Sequence, residues 1–396
     1  MKKNVYLDNN ATTKVAPEAV EAMLPYLTEL YGNPSSIHSF GGEIGFEIDK
    51  ARNSIREFLG ADNDYEIVFT GTGTESDNLA ILGTINYYKE KRHIITTRVE
   101  HPAVLALCQK LERDGYRVTY LPVNGEGELD MDYLKESLSD DTAIVSVMYA
   151  NNETGVIFPV EEIGALCKEK KIPFHVDAVQ AAGKIPIDVN KINCDLLTVS
   201  GHKFHGPKGI GVLYVRRGTR MRPILYGGHQ ERGRRPGTDN VPGIIALGKA
   251  AELAMDHLKQ RDEISRLRDK LEAGLLKRFK NSSLNGSKKN RVPNTTNVGF
   301  EFIEGEAILL YLDEKGISAS SGSACSSGSL EPSHVLRAMG VPFTSAHGSI
   351  RFSLSRYTTE EEVDYVLEVI PEVVERLLTI SPYWDNEKQV GKEINL

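Results

Sequence analysis

The sequence predicts an α/β protein in which a large domain surrounds a mainly parallel sheet and a smaller α+β domain follows. In the middle of the chain, short runs rich in β-branched residues alternate with longer amphipathic runs, a pattern typical of strands covered by helices on both faces. After about Pro242 the pattern changes to a long helical stretch and then to mixed strands and helices. The length of 396 residues, which exceeds what one hydrophobic core usually supports, also favours two domains.

Each element follows from its apolar periodicity, which is close to two residues in strands and 3.6 residues in helices. Strands of the large domain are predicted at 66–70, 93–97, 117–123, 143–149, 172–178, 196–200 and 209–215. Helices are predicted at 74–88, 103–115 and 160–171, and one long helix at 244–279 is expected to bridge the domains. The smaller domain is expected to contain strands at 297–302 and 351–356 and helices at 306–316 and 359–378.

Composition excludes several classes of protein. Lys and Arg number 47 and Asp and Glu number 55, so the formal net charge is −8, which argues against direct binding of nucleic acid. The apolar runs are too short to span a bilayer, and the N-terminus has no apolar signal-peptide core, so no membrane contact is expected. Four cysteines without a CxxC pair predict a protein of a reducing compartment, the cytoplasm.

A glycine-rich loop, TGTGTESDN at 70–78, lies between a predicted strand and a predicted helix. Its glycines permit a tight turn, and the unpaired N–H groups of the helix N-terminus attract an anion such as phosphate. The alternative is a plain strand-to-helix turn with Thr74 as the N-cap. The loop matches neither a P-loop nor the spacing of a dinucleotide-binding motif.

Two polar positions follow later strands of the predicted sheet. Asp177 ends the strand in HVDAVQ, where a carboxylate can pair with a pyridinium nitrogen; the alternative is a helix N-cap. Lys203 lies in the short loop SGHKFHGPKG and is a candidate Schiff-base nucleophile; the alternative is a solvated loop lysine. His202 and His205 lie in the same loop, but no cysteine or carboxylate accompanies them, so we expect no metal site there.

Cys325 lies in a segment, 318–329, that contains only Ser, Gly, Ala and Cys. A cysteine among such small residues is not packed like a core thiol, and a flexible segment of this kind can carry a thiol to a substrate. The alternative is a linker with an incidental thiol. Cys108 and Cys167, in contrast, lie among Leu and Ala in predicted helices and are expected to be structural.

Motifs along nearly the whole chain resemble those of the cysteine desulfurases of the NifS and IscS type, and most closely NifS. They are, in order, YLDNNATT, GNPSSIHSFG, GTESDN, EHPAV, ANNETG, HVDAVQ, GHKFHGPKG, GGHQERGRRPGTDN, EGEAILLYL, SSGSACSSGSLEPSHVLRAMG, RFSLSRYTTEEEV and SPYW. The resemblance implies a fold-type I enzyme of aminotransferase class V that uses pyridoxal 5'-phosphate and has a seven-stranded sheet. It implies a large domain at 14–258 and a small domain formed by 1–13 and 259–396, which carries Cys325.

The resemblance also implies roles at the cofactor. Lys203 would form the Schiff base, Asp177 would face the pyridinium nitrogen, and His101 would stack on the ring. Gln180 and Asn152 would form hydrogen bonds on the side of the cofactor ring that carries the phenolic oxygen. The phosphate would be held by Gly73, Thr74, Ser200 and His202, and by Thr238 of a second subunit, which implies a homodimer.

On the substrate side, the resemblance implies that Arg351 pairs with the carboxylate of L-cysteine, with Asn33 assisting and Arg356 as the alternative arginine. Cys325 would take the substrate sulfur as a persulfide, and His101 would relay protons. L-alanine would be released, and the persulfide would pass to an iron–sulfur scaffold, where Cys325 would transiently ligate a cluster. The alternatives are a selenocysteine lyase or an aminotransferase of the same class, or a sulfur-trafficking partner with little turnover.

Overall fold

The structure of the protein, a computed structural model, describes residues 4–321, 332–385 and 390–391. Its strands are β1 (Val5–Tyr6), β2 (Ile67–Thr70), β3 (His93–Thr97), β4 (Arg117–Leu121), β5 (Thr142–Met148), β6 (Phe174–Asp177), β7 (Leu196–Ser200), β8 (Gly211–Val215), β9 (Ser282–Leu284), β10 (Thr295–Phe300), β11 (Ile317–Ser318), β12 (Ser349–Ser353), β13 (Trp384–Asp385) and β14 (Val390–Gly391). Its helices are α1 (Pro17–Met23), α2 (Pro25–Thr28), α3 (Ser39–Leu59), α4 (Gly73–Tyr87), α5 (Pro102–Arg113), α6 (Met131–Ser137), α7 (Val160–Lys170), α8 (Val189–Ile192), α9 (Val241–His257), α10 (Arg261–Arg278), α11 (Gly305–Glu314), α12 (His334–Ala338), α13 (Phe343–His347) and α14 (Glu360–Ile380).

A seven-stranded sheet in the order β2-β8-β7-β6-β5-β3-β4 forms the centre of the molecule. The strands are parallel except for β8, which is antiparallel to both of its neighbours. The chain between β7 and β8 spans only 201–210, which is too short for the crossover that a parallel connection needs. All residues of β2, β3 and β5 to β8 are buried, as expected for strands covered on both faces. The predicted mainly parallel α/β sheet is confirmed.

A second hydrophobic core lies apart from the sheet and is built from α10, α11, α14 and the small sheet β12-β10-β9. The N-terminal strand belongs to it: Val5 and Leu7 pack there, and β1 pairs in parallel with β11. The predicted grouping of 1–13 with 259–396 stays a prediction that these contacts support. Val335, Leu336 and Met339 depart from it, because they pack into the core of the large sheet.

The predicted long helix at 244–279 is two helices. α9 ends at His257, a 3₁₀ turn covers Leu258–Gln260, and α10 begins at Arg261. The two helices pack on different partners, α9 against α3 in the first core and α10 against α14 in the second, so the chain turns between them. None of the helices in the described ranges is long and apolar enough to cross a membrane.

Helix α3, which the sequence analysis does not assign, is 21 residues long. Its N-terminal half contains Gly41, Gly42 and Gly45, and glycine lowers intrinsic helix propensity. Packing of Ile44, Ile48 and other apolar residues into the first core stabilises the helix instead.

Candidate active site

The predicted site residues meet at one edge of the large sheet, where its parallel strands end. Gly73 follows β2, His101 follows β3, Asp177 ends β6, and Ser200 ends β7 just before Lys203. This edge is where open α/β sheets bind ligands. The separate loops singled out in the sequence therefore belong to one site.

Lys203 lies at the end of a 3₁₀ turn, Gly201–Lys203, that is closed by the bond from the Gly206 N–H to the Gly201 carbonyl. Its Nζ donates to two carbonyl oxygens of the N-terminal segment, at 2.7 Å from Asn10 O and 2.9 Å from Ala11 O. The side chain is half-buried in the site. The solvated loop lysine, the alternative raised by the sequence, is not what the structure shows.

Asp177 is buried, and burial raises the pKa of its carboxyl to about 6, although the Val179 N–H and the Lys203 ammonium act in the opposite direction. Its Oδ1 accepts from the Val179 N–H at 2.9 Å within a local turn. The next helix, α8, begins only at Val189, so the alternative of a helix N-cap is wrong. A buried carboxyl of this kind is stabilised in its ionised form by a cation placed beside it.

Two further buried acids lie behind Asp177, and the sequence analysis missed both. Glu100 accepts from the Thr97 hydroxyl and the Met148 N–H, both at 2.9 Å, and burial raises its pKa to about 8. Asp77 lies 3.6 Å from Nε2 of His175, and burial, with Asp177 nearby, raises its pKa well above the usual value. The signal that the sequence offered for these two residues is an acidic side chain in a stretch that is otherwise predicted to be buried.

His101 caps α5, and its Nδ1 accepts from the Ala103 N–H at 3.1 Å. The acceptor role of Nδ1 places the ring proton on Nε2. Burial, together with Lys203 and His334, lowers the pKa of His101 to about 4, so the ring is neutral near pH 7. A neutral ring with one fixed N–H is suited both to stacking and to proton transfer.

The N-terminus of α4 forms a closely packed cradle. A Cβ added to Gly73 would lie 3.2 Å from Val179 Cγ2 and 3.3 Å from Ser200 Cβ, so a side chain there would crowd both neighbours. Thr72 is the N-cap and accepts from the Glu75 N–H, so the alternative of Thr74 as N-cap is wrong by two residues. Thr74 is instead exposed at the first turn, where its hydroxyl is available to an anion.

His202, another predicted phosphate ligand, lies beside the N-terminal segment. Its Nδ1 is 3.1 Å from the Thr12 hydroxyl, and its carbonyl accepts from the Thr13 N–H. Burial, with Lys203 and Lys208 nearby, lowers the pKa of His202 to about 4.

Arg351 lies on β12 and is almost completely buried. Its Nη2 donates to Asp8 Oδ1 at 2.7 Å, and its Nη1 donates to the Asn152 carbonyl at 2.9 Å. The same Asn152 carbonyl accepts from Asn10 Nδ2 at 3.1 Å. Hydrogen bonds therefore connect the predicted carboxylate-binding arginine with the segment that holds Lys203.

Asn10 is a hub that the sequence analysis left unassigned, although it lies in the quoted motif YLDNNATT. Its N–H donates to Ser353 Oγ, and its carbonyl accepts from Lys203 Nζ and Gln180 Nε2. Its side chain contacts Asn152, Lys184, Asn294 and Thr295. One residue thus joins the large sheet, the small sheet and the lysine loop.

Two predicted residues, Asn33 and Thr238, lie outside this arrangement. Asn33 is exposed, and its Oδ1 accepts from the Ser35 N–H in a local turn. Thr238 is exposed in the loop before α9. Cys325 lies outside the described residues. The roles assigned to these three side chains stay predictions.

The other cysteines are core residues, as expected for Cys108 and Cys167. Both are buried and unpaired, and burial raises the pKa of each thiol to about 12. Cys194 is also buried, and burial raises the pKa of its thiol further. None of these three thiols is available as a thiolate near neutral pH.

The site matches a ligand of a specific chemical type. The Gly73 cradle at a helix N-terminus suits a phosphate, and the buried Asp177 carboxyl suits a protonated ring nitrogen. The Lys203 amine suits a carbonyl carbon. A pyridoxal phosphate molecule carries all three groups, so the residues present fit that cofactor.

Comparison with known proteins identifies the family. The family model for class-V aminotransferases matches residues 5–366. The chain is 62% identical over 384 residues to a cysteine desulfurase of Trichormus azollae, covering 97% of this chain and 96% of the relative, and 56% identical over 388 residues to the cysteine desulfurase NifS of Azotobacter vinelandii, covering 98% and 96%. The solved structure of a NifS-like protein superposes with a TM-score of 0.89 at 41% identity, covering 95% of this chain and 100% of that one. The chain belongs to the class-V aminotransferase family, within its group of cysteine desulfurases.

Proposed function

We propose that this enzyme removes the sulfur of L-cysteine, releases L-alanine and receives the sulfur on Cys325 as a persulfide. The observation that carries the proposal is the hydrogen-bonded path from Arg351 through Asn152 and Asn10 to the Lys203 amine. It joins a cation for the substrate carboxylate to a nucleophilic amine for the cofactor. The relatives named cysteine desulfurase support the choice of L-cysteine.

Arg351 would orient the substrate. Its guanidinium is buried and fixed by Asp8 and by the Asn152 carbonyl, and a buried guanidinium binds a carboxylate strongly and directionally. Asn33 is proposed to assist from the turn before α3. An L-amino acid held in this way presents its Cα–H bond in one fixed direction.

Pyridoxal phosphate would be held covalently by Lys203, with Asp177 at the ring nitrogen and His101 on the ring face. When bound, it supplies an electron sink for the bond broken at the substrate Cα. Gln180 and Asn152 would form hydrogen bonds on the side of the cofactor ring that carries the phenolic oxygen. The phosphate would lie against Gly73, Thr74, Ser200 and His202, and against Thr238 of a second subunit, so we propose a homodimer.

Lys203 and His101 would move the protons. The Lys203 amine would take the proton from the substrate Cα. His101 holds one proton on Nε2 and is neutral, so it can exchange that proton with the substrate thiol.

Cys325 would accept the sulfur. The Cβ–S bond of L-cysteine breaks, a bond forms between the substrate sulfur and Cys325 Sγ, and the Cys325 thiol proton passes to Cβ, so that L-alanine and Cys325–S–SH balance the reactants. The three buried thiols are excluded by their raised pKa values. Ser320 is bonded in both directions to the Arg351 backbone and precedes Cys325 by five positions in the sequence, which supports this assignment.

The persulfide is proposed to pass to an iron–sulfur scaffold protein in the cytoplasm, where Cys325 would transiently ligate the assembling cluster. A persulfide is a suitable carrier, because a second thiol can accept its outer sulfur without release of free sulfide.

The test is product analysis with the cofactor-loaded protein, L-cysteine and excess thiol reductant. Wild type is expected to release equal amounts of L-alanine and sulfide, because the reductant cleaves the persulfide. Cys325→Ala should keep the bound cofactor and lose at least about 100-fold in both products, the scale seen when a nucleophile is removed. The matched control, Cys167→Ala, should retain activity, since that thiol is a core group. Sulfide release by Cys325→Ala at the wild-type rate would contradict the persulfide step.

A further inference from the structure

Lys184 is a buried lysine that the proposed reaction does not use. It follows Gln180 by four residues in the turn after β6. Its Nζ donates to Asn10 Oδ1 at 3.0 Å and to Gln180 Oε1. A lysine is rarely buried without a specific role for its donors.

The amine of Lys184 determines which way two amide groups point. The ammonium form of lysine only donates and an amide oxygen only accepts, so both amide oxygens face Nζ. The amide nitrogens must then point away from it. Gln180 Nε2 donates to the Asn10 carbonyl at 2.9 Å, and Asn10 Nδ2 donates to the Asn152 carbonyl at 3.1 Å and to Thr295 Oγ1 at 2.9 Å.

The orientation of these amide groups also affects Lys203. The Asn10 carbonyl that accepts from Gln180 also accepts from Lys203 Nζ at 2.7 Å. If the Gln180 amide were reversed, its oxygen would face that carbonyl, and two acceptors in contact repel each other. The position of the carbonyl beside the Lys203 amine therefore depends on the amide orientation that Lys184 selects.

Lys184 is bonded through neutral groups, which suits a purely directing role. The acceptors of Nζ, Asn10 Oδ1 and Gln180 Oε1, are amide oxygens and carry no charge. Burial, with the Lys203 and Arg351 cations nearby, lowers the pKa of Lys184 well below its usual value. An uncharged amine keeps two N–H groups, one for each of the two amide oxygens that Nζ contacts.

We propose that Lys184 is a positioning residue that fixes the orientation of the Gln180 and Asn10 amides, so that Gln180 offers only N–H groups to the cofactor and Asn10 holds the Lys203 amine. The inference rests on the proposed function, since it assumes that the cofactor is bound at Lys203. It assigns Lys184 no contact with substrate or cofactor.

The first test is Lys184→Met, which keeps the length of the side chain and removes its donors. The measurement is a pH titration of the visible absorption of the bound cofactor. The apparent pKa read from that absorption should rise by about one unit. This is the effect expected when the anionic form of the cofactor loses one hydrogen bond of typical net strength. The value of kcat for L-cysteine should fall about tenfold, with KM changed less than threefold.

The matched control is Lys208→Met, which makes the same substitution at an exposed lysine of the same loop as Lys203. Its absorption pKa and kcat should stay at wild-type values. A Lys184→Met protein with an unchanged absorption pKa would show that Lys184 only supports the fold, and would overturn the proposal.

A double-mutant cycle separates orientation from charge. If Lys184 acts through Gln180, then Lys184→Met should shift the absorption pKa by less than about 0.3 units in a Gln180→Met background. Additive shifts would indicate a direct electrostatic effect and would also overturn the proposal.

Lys184→Arg covers the case in which Lys184→Met does not fold. Arginine is also a donor-only side chain, so the rescued protein should keep an absorption pKa within about 0.3 units of wild type. A folded Lys184→Arg protein with the full shift contradicts the directing role. A wild-type protein without any visible absorption after cofactor loading would instead contradict the proposed function itself.

Discussion

On the side of the site formed by the large sheet, the carboxyls of Asp77, Glu100 and Asp177 are buried and their pKa values are raised. On the side formed by β12, the guanidinium of Arg351 is buried against the carboxylate of Asp8. We call these the cofactor side and the carboxylate side. The first buries acids whose pKa is raised mainly by burial, and the second buries a cation that already has an anion beside it.

The difference matches the charges of the two ligands. A protonated ring nitrogen would supply the cation that Asp177 needs, so cofactor binding and ionisation of Asp177 favour each other. A substrate carboxylate would meet an arginine whose buried charge Asp8 balances until the substrate arrives. The cofactor side thus gains from a permanent ligand, and the carboxylate side is stable without its transient one.

The largest expected effect is on the cofactor side. Asp177→Asn removes the anion that would stabilise a protonated ring nitrogen, so kcat should fall by about 10²–10³-fold while Lys203 still binds the cofactor. Turnover of L-cysteine and cofactor absorbance measure the two effects.

The control for that prediction is Asp195→Asn. Asp195 is a partly buried carboxyl whose pKa is also raised by burial, but it accepts from the Phe174 N–H at the opposite end of the strands. Its activity should stay within about threefold of wild type, because it lies away from the ligand edge. Equal losses in the two variants would mean that Asp177 only supports the sheet.

A smaller effect is expected on the carboxylate side. Arg351→Lys replaces a forked donor by a point charge, and kcat/KM for L-cysteine should fall about 30-fold, mostly through KM. Arg356→Lys is the matched control, since Arg356 bonds the Tyr357 hydroxyl and should leave KM near wild type. A larger rise of KM in Arg356→Lys would assign the substrate carboxylate to the alternative arginine.

A further effect is expected on stability. The pKa of Glu100 is about 8 in the folded protein and close to 4.5 when unfolded, so its stabilising contribution is complete below pH 4.5 and is lost as pH rises towards 8. Glu100→Gln replaces the titrating carboxyl group by an amide that does not titrate. Over that pH window its free energy of unfolding should therefore gain about 1.4 kcal/mol per pH unit relative to wild type. Urea unfolding of the cofactor-free proteins at pH 5, 6 and 7 measures it, and parallel curves would contradict the buried-proton assignment.

The cofactor side was largely predictable from the sequence. Gly73, His101, Asp177 and Ser200 lie at the end of a strand or shortly after it, and the parallel sheet brings those strand ends to one edge. The N-cap residue of the phosphate loop could not be predicted, because Thr72 and Thr74 are both acceptable caps. The extended backbone at Thr72 makes that residue the cap.

The carboxylate side was much less predictable. The bond from Arg351 to Asp8 joins residues 343 positions apart, and the bond from Gln180 to Asn10 joins residues 170 apart. Local periodicity carries no information on such pairs. Helix α3 was missed for a related reason, since its glycines lower local propensity and long-range packing on α9 compensates.

The pairing of β1 with β11 has a consequence for synthesis of the chain. Val5 leaves the ribosome long before its partner Ile317, and Ser353, which bonds Asn10, emerges later still. The strands of the large sheet lie entirely within the intervening stretch and can form first, because domains generally fold as units during synthesis. The Asn10 and Ala11 carbonyls that hold the Lys203 amine are therefore set in place after the large sheet, so the proposed cofactor binding would be a late event in the biogenesis of the enzyme.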